Sequence, residues 1–112
     1  MTAAAVTPTT IAEPMGQTIE INKTDVVDHV LVIDTDRSLA GQDGERFAGV
    51  ETARLGTTFP AQLAVRLFEA DGSVDHVFVM SNTVSVRRPT GWTDETIATA
   101  ARTVSEFFRF YR

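Results

Sequence analysis

The hydrophobic period of the second half changes twice, and that pattern leaves few folds open. Between Phe59 and Ala70, Leu63, Ala64, Leu67 and Phe68 form one helical stripe opposite Gln62, Arg66 and Glu69. Val74 to Met80 then reads as a strand, and Val84 and Val86 alternate in a second one. Helical spacing returns through Ile97, Ala100, Ala101, Val104, Phe107, Phe108 and Tyr111, a wide apolar face. A helix, two strands and a helix with one-sided apolar faces are satisfied by helices packed on a sheet.

The boundary residues support this order. Thr58 stands where a helix cap is expected, and Pro60 sits in the first turn, where its missing N–H costs nothing. Gly72 is expected to end that helix in the left-handed conformation. A strand over Leu63, Val65 and Leu67 is the competing reading, with Ala70 to Ser73 as a hairpin turn. Helix propensity across 61–69 decides for the helix. Asn82 marks a bend, the second strand ends at Arg88, and Pro89 to Gly91 breaks it. Thr93 caps the last helix, 93–110, with Asp94 and Glu95 in its first turn and Trp92 placed to staple onto Ile97. Trp92, Val104, Phe107 and Phe108 are the expected buried contacts of that helix.

The first half is less regular. Gln17 to Asn22 reads as a short strand, Asn22 to Asp25 as a turn, and Val26 to Ile33 as a strand covered on both faces. Asp34 to Gly44 is polar and reads as a loop, while Glu45 to Leu55 fits a helical turn or an irregular edge equally. The Ala/Thr/Pro-rich residues 1–15 read as a flexible arm, and 16–112 as a single domain. The expected fold is α+β, a small mostly antiparallel sheet with helices on one face, in the order ββ(loop)αββα. One internal echo runs through it: Val27 to Ile33 parallels Val74 to Met80 and contains both histidines of the chain.

Composition excludes several functions. There is no cysteine, so thiolate metal sites, cysteine nucleophiles and disulfides are impossible. The net charge of −5 opposes a nucleic-acid surface. No run approaches the roughly 20 apolar residues of a membrane helix, and the start lacks the pattern of a signal peptide. The expected location is the cytoplasm.

No catalytic motif is complete. Val30 to Leu39 resembles the first motif of haloacid-dehalogenase-type phosphatases, with Asp34 as nucleophile and Asp36 as acid/base, and Ser81-Asn82 resembles their second. The later lysine is missing, since the one lysine, Lys23, precedes the motif, and no acidic pair follows to hold magnesium. The same loop places Asp34, Asp36, Ser38 and Glu45 at calcium-loop positions, but Leu39 stands where the turn needs glycine. His29 and His76 lack a third ligand at recognisable spacing. No catalytic, metal-binding or cofactor-binding residue is therefore assigned, and no cofactor is expected.

From Phe59 onward the chain resembles the N-terminal domain of Nfu/NifU-type iron–sulfur scaffold proteins. The resemblance rests on Phe59 to Gly72, Val74 to Val86, Gly91 to Glu95 and Phe107-Phe108, about half the chain. It implies a non-enzymatic accessory or interaction module, without cluster ligands of its own, that contacts an iron–sulfur scaffold or client protein. Such a surface favours aromatic and arginine side chains. The candidates are Phe110, in the aromatic end of the last helix, and Arg87 and Arg88, which with Arg102, Arg109 and Arg112 are expected to make a small positive patch on an otherwise acidic chain. A small hydrolase or metal-dependent enzyme using Asp34, Asp36 and a histidine is one alternative. A self-associating structural protein, its terminal aromatics buried in a dimer, is the other.

Overall fold

The structure, a computed structural model, describes residues 19–110, with the backbone alone at 108–110. The arm at 1–15, the first two residues of the strand expected at Gln17, and the side chains of Phe108, Arg109, Phe110, Tyr111 and Arg112 lie outside the described residues. In chain order the elements are β1 (Ile21–Val27), β2 (Val30–Thr35), β3 (Glu45–Phe47), α1 (Val50–Arg54), α2 (Phe59–Ala70), β4 (His76–Met80), β5 (Thr83–Arg87) and α3 (Asp94–Phe110). The strands form one sheet in the order β1-β2-β5-β4-β3, every neighbouring pair antiparallel. The α+β class and the one-sided helical layer hold.

The first hairpin differs from the sequence reading. Asn22 to Asp25 belongs to β1, and the turn falls instead at Asp28-His29, inside the run expected to be one strand. Asp28 adopts φ 57, a left-handed conformation that aspartate tolerates better than most residues. A two-residue turn therefore needs no glycine here, and the β-branched residues on both sides hide it. The strand is also not covered twice. Leu31, Ile33 and Thr35 are buried, while Val30 and Val32 on the other face are only half-buried. The loop is shorter than expected, because Asp34 and Thr35 extend β2, and 45–55 resolves into β3 and α1.

The second half follows its caps. Thr58 Oγ1 accepts the Ala61 N–H at 3.2 Å, fixing the start of α2. Its end is a correction: Gly72 is not left-handed, and the extended Asp71 closes the helix instead. The Asp71 carboxylate accepts the Ser73 N–H at 3.0 Å, and its carbonyl accepts the Val74 N–H at 3.1 Å. The turn at Asp71 thus leads the chain out of the helix through its own side-chain acceptor, without a left-handed residue. At the start of α3, Thr93 and Thr96 cap each other. Thr93 Oγ1 accepts the Thr96 N–H at 3.2 Å, and Thr96 Oγ1 accepts the Thr93 N–H at 2.8 Å, with threonine in place of the usual glutamate. Trp92 packs against the core but is only half-buried, not largely buried as expected. Its indole N–H reaches the His29 carbonyl at 2.9 Å, which keeps the ring at the rim of the sheet.

The core lies between one sheet face and the helices. Leu31, Ile33, Val77, Val79, Val84 and Val86 meet Leu63, Ala64, Leu67 and Phe68 of α2 and Ala100, Val104 and Phe107 of α3. Phe59 and Phe107 join the two helices edge-to-face, ring centroids 5.0 Å apart. Gly56 permits α1 to approach α2, since a Cβ there would stand 2.6 Å from that of Ala61. The segment just before β1 is tied in by Ile19, wholly buried, whose N–H donates to the Ser105 carbonyl at 2.8 Å. The internal echo falls out of phase. Leu31 points into the core, whereas its counterpart Phe78 points to the opposite face.

Candidate interaction face of the sheet

Side chains alternate along a strand, so the residues between the core positions build a second surface. The register sets three rows across it. Val27, Val30, Arg87 and His76 form the first, Asp25, Val32, Ser85, Phe78 and Arg46 the second, and Lys23, Asp34, Thr83 and Met80 the third. The helices lie on the other side of the sheet, so this face is uncovered among the described residues.

Its centre is Phe78. The Arg46 guanidinium stands 4.6 Å from the Phe78 ring centroid, within cation–π range. Gly44 holds the ring from another side: with φ 74, any Cβ there would come within 2.8 Å of Phe78 Cε1 and of the Val79 carbonyl. The loop before β3 is fastened for this purpose. Leu39 is buried, its N–H and that of Ala40 donate to the Ser81 carbonyl at 2.7 and 3.2 Å, and the Ser81 N–H returns to the Gly41 carbonyl at 3.1 Å.

In the first row, Arg87 Nη1 donates to Asp75 Oδ2 at 3.0 Å, and Asp75 Oδ1 lies 3.0 Å from His76 Nδ1. One carboxylate thereby orients both a guanidinium and an imidazole beside Phe78. Val30, Arg46, His76, Phe78, Ser85 and Arg87 line a shallow depression of about 320 Å³. It combines an aromatic platform with positive charge on an acidic chain.

The two adjacent arginines diverge. Arg87 is exposed on this face, whereas Arg88 turns inward. Arg88 donates to Asp71 Oδ2 at 2.8 Å, to Thr90 Oγ1 at 2.8 Å and to the Gly91 carbonyl at 2.7 Å. Its side chain is only 18% exposed. The third candidate, Phe110, has its side chain outside the described residues. Sequence reasoning missed Arg46, Phe78 and Ser85. The opposite phase of His76, Phe78 and Met80 to Val77 and Val79 was the available signal, but joining it to Arg46 requires the β3–β4 register.

The residues of the enzyme alternative are dispersed. Asp34 accepts a hydrogen bond from Thr83 Oγ1 at 3.0 Å. Asp36 pairs with Arg37 at 2.9 Å and accepts the Glu20 N–H at 3.3 Å. The Arg37 hydrogen bond holds the Asp36 carboxyl below its usual range. His29 sits at the far end of β2 from Asp34, roughly 16 Å away along the strand. Glu45, the last residue of the calcium pattern, accepts from Thr58 Oγ1 at 2.7 Å. Among the described residues no three histidine, aspartate or glutamate side chains gather to hold a metal ion, and no helix is long and apolar enough to cross a membrane.

A second depression of about 320 Å³ lies between α2 and α3. Arg66, Glu69, Glu106 and Phe107 line it, and the Arg66 guanidinium stands 6.0 Å from the Phe107 ring centroid, but the two glutamates leave it without the positive balance of the sheet face. No family model, curated protein or solved structure matches the chain.

Proposed function

We propose that this protein is a non-enzymatic interaction module of the cytoplasm, linked to iron–sulfur protein maturation and without cluster ligands of its own. It meets a scaffold or client protein with the uncovered sheet face. The observation that carries the surface is Phe78, set under Arg46 and flanked by Arg87 and His76. Aromatic and arginine side chains dominate binding energy where they become desolvated together. The positive groups on a chain of net charge −5 select an acidic segment of the partner. The iron–sulfur link is carried by the resemblance of residues 59 onward to the N-terminal domain of Nfu/NifU-type scaffolds.

The test is a pull-down from the native cell with wild type and with an Arg46→Glu, Arg87→Glu variant, retained proteins being identified by mass spectrometry. Both positions are exposed, so the variant should keep the wild-type circular dichroism spectrum. The expected result is an iron–sulfur scaffold or client bound by wild type and lost by the variant. Retention of no iron–sulfur component by wild type overturns the functional link. Equal retention by the variant overturns the surface.

A further inference from the structure

Among the described residues β1 is the long outer strand of the sheet, and six of its seven residues are exposed. The opposite edge, β3, has only three residues. Along β1 the backbone groups alternate between β2 and the open side. Val26 shows which residues face outward, because its N–H donates to the Asp25 carboxylate at 3.1 Å. Thr24, two residues earlier, therefore also presents its N–H and carbonyl to the open edge.

Charged residues ordinarily blunt such an edge against pairing. Here their arrangement does the reverse for one partner. Lys23 and Asp25 flank Thr24, share the uncovered face and carry opposite charges. A second copy laid antiparallel about a two-fold axis at Thr24 sets Lys23 against the partner's Asp25 and Asp25 against the partner's Lys23. Thr24 then exchanges both backbone hydrogen bonds with the partner's Thr24. Parallel pairing would instead bring like charges together. The exposed Val26 and Val27, 38% and 56% accessible, flank this centre. The register shift between Ile21 and Lys23 bends the strand on the other side of it and limits the paired length.

We propose that β1 is a homodimer edge, pairing antiparallel with a second copy about Thr24 through reciprocal Lys23–Asp25 contacts. On pairing, the Asp25 carboxylate leaves the Val26 N–H for the partner's Lys23, and that N–H turns to the partner's backbone. The axis stands perpendicular to the sheet, so the two five-stranded sheets join with their helices on one side. Both Phe78 surfaces then share the other side, and this pairing stands whether or not the partner proposed for that surface is correct.

The experiment measures self-association by sedimentation velocity up to hundreds of micromolar for wild type, Lys23→Glu and Asp25→Lys. Both substituted side chains are exposed. Wild type is expected to dimerise, and each single variant to associate at least about tenfold more weakly, because the attraction becomes repulsion at both contacts. Mixing the two variants restores opposite charges at both contacts. Native mass spectrometry should then show a dimer containing one copy of each. Both variants keep a net negative charge, so overall attraction cannot mimic this result. A monomeric wild type, undiminished dimers in both variants, or no mixed dimer overturns the proposal.

Discussion

Arg88 Nε donates to Asp71 Oδ2 at 2.8 Å, and this bond joins the end of β5 to the residue that closes α2. The neighbouring Arg87 holds Asp75 from the exposed face at 3.0 Å. Two arginines adjacent in sequence thus serve different ends, one binding the layers together and the other presenting charge. Arg88→Ala should lower stability by about 1–3 kcal/mol, because it strips the charged donor from one oxygen of the part-buried Asp71 carboxylate and from the Gly91 carbonyl. Arg87→Ala removes an exposed pair and should cost less than about 1 kcal/mol. Urea denaturation of both variants checks the contrast. Equal losses would show that the inward bonds of Arg88 contribute little. Arg88→Lys should not restore stability, since an ammonium cannot reproduce the fork that spans Asp71, Thr90 and Gly91.

Gly44→Ala should destabilise by about 1–3 kcal/mol, from left-handed backbone strain together with a Cβ forced against Phe78 and the Val79 carbonyl. The same change should displace the Phe78 ring and weaken capture of the partner. A thermal melt and a binding assay read the two effects. An unchanged melting temperature would mean that the loop yields without effort and does not fix the ring.

Phe107→Ala should cost about 3–5 kcal/mol, since Phe107 is 3% exposed and packs edge-to-face on Phe59. Phe107→Leu should recover much of that loss by refilling the space. Denaturant midpoints of the two variants test the packing. A loss below about 1 kcal/mol for the alanine variant would refute it.

Asp36 should titrate below the ordinary aspartate value of 3.8, primarily because Arg37 donates to its ionised carboxylate. A folded-state value lowered in this way stabilises the fold above the unfolded value, and the contribution disappears as pH falls through the folded one. NMR titration of the Asp36 carboxyl checks the direction, and Arg37→Ala should move the midpoint back up. An unchanged midpoint in that variant would assign the shift to another group.

The parts legible from sequence were those whose boundaries carry local chemistry. Thr58 and Pro60 announce α2, and Thr93 announces α3, because a cap acts on backbone groups three residues away. The Asp28-His29 turn was hidden because aspartate can take the left-handed conformation without glycine, inside a β-branched run that reads as continuous. β3 is too short to show a period. The sheet face needed still more, since Arg46 meets Phe78 and Arg87 only through the β3–β4 pairing, between segments separated by both α1 and α2. Arg87 was recognised by its charge, whereas Arg46 and Phe78 had no local signal beyond their strand phase.

The β2–β5 ladder also governs what happens on the ribosome. Asp34 and Thr83, bonded side by side, are 49 residues apart in the chain. During translation the β1–β2 hairpin emerges before β5 and waits for its inner neighbour until β5 has been synthesised and released from the exit tunnel. The wait extends further for Ile19, whose N–H is received by Ser105 of the last helix. Pairing of such sequence-distant segments is slow because the intervening chain must first be ordered. The core that buries Leu31 and Ile33 is therefore complete only once α3, with Ala100, Val104 and Phe107, has been made.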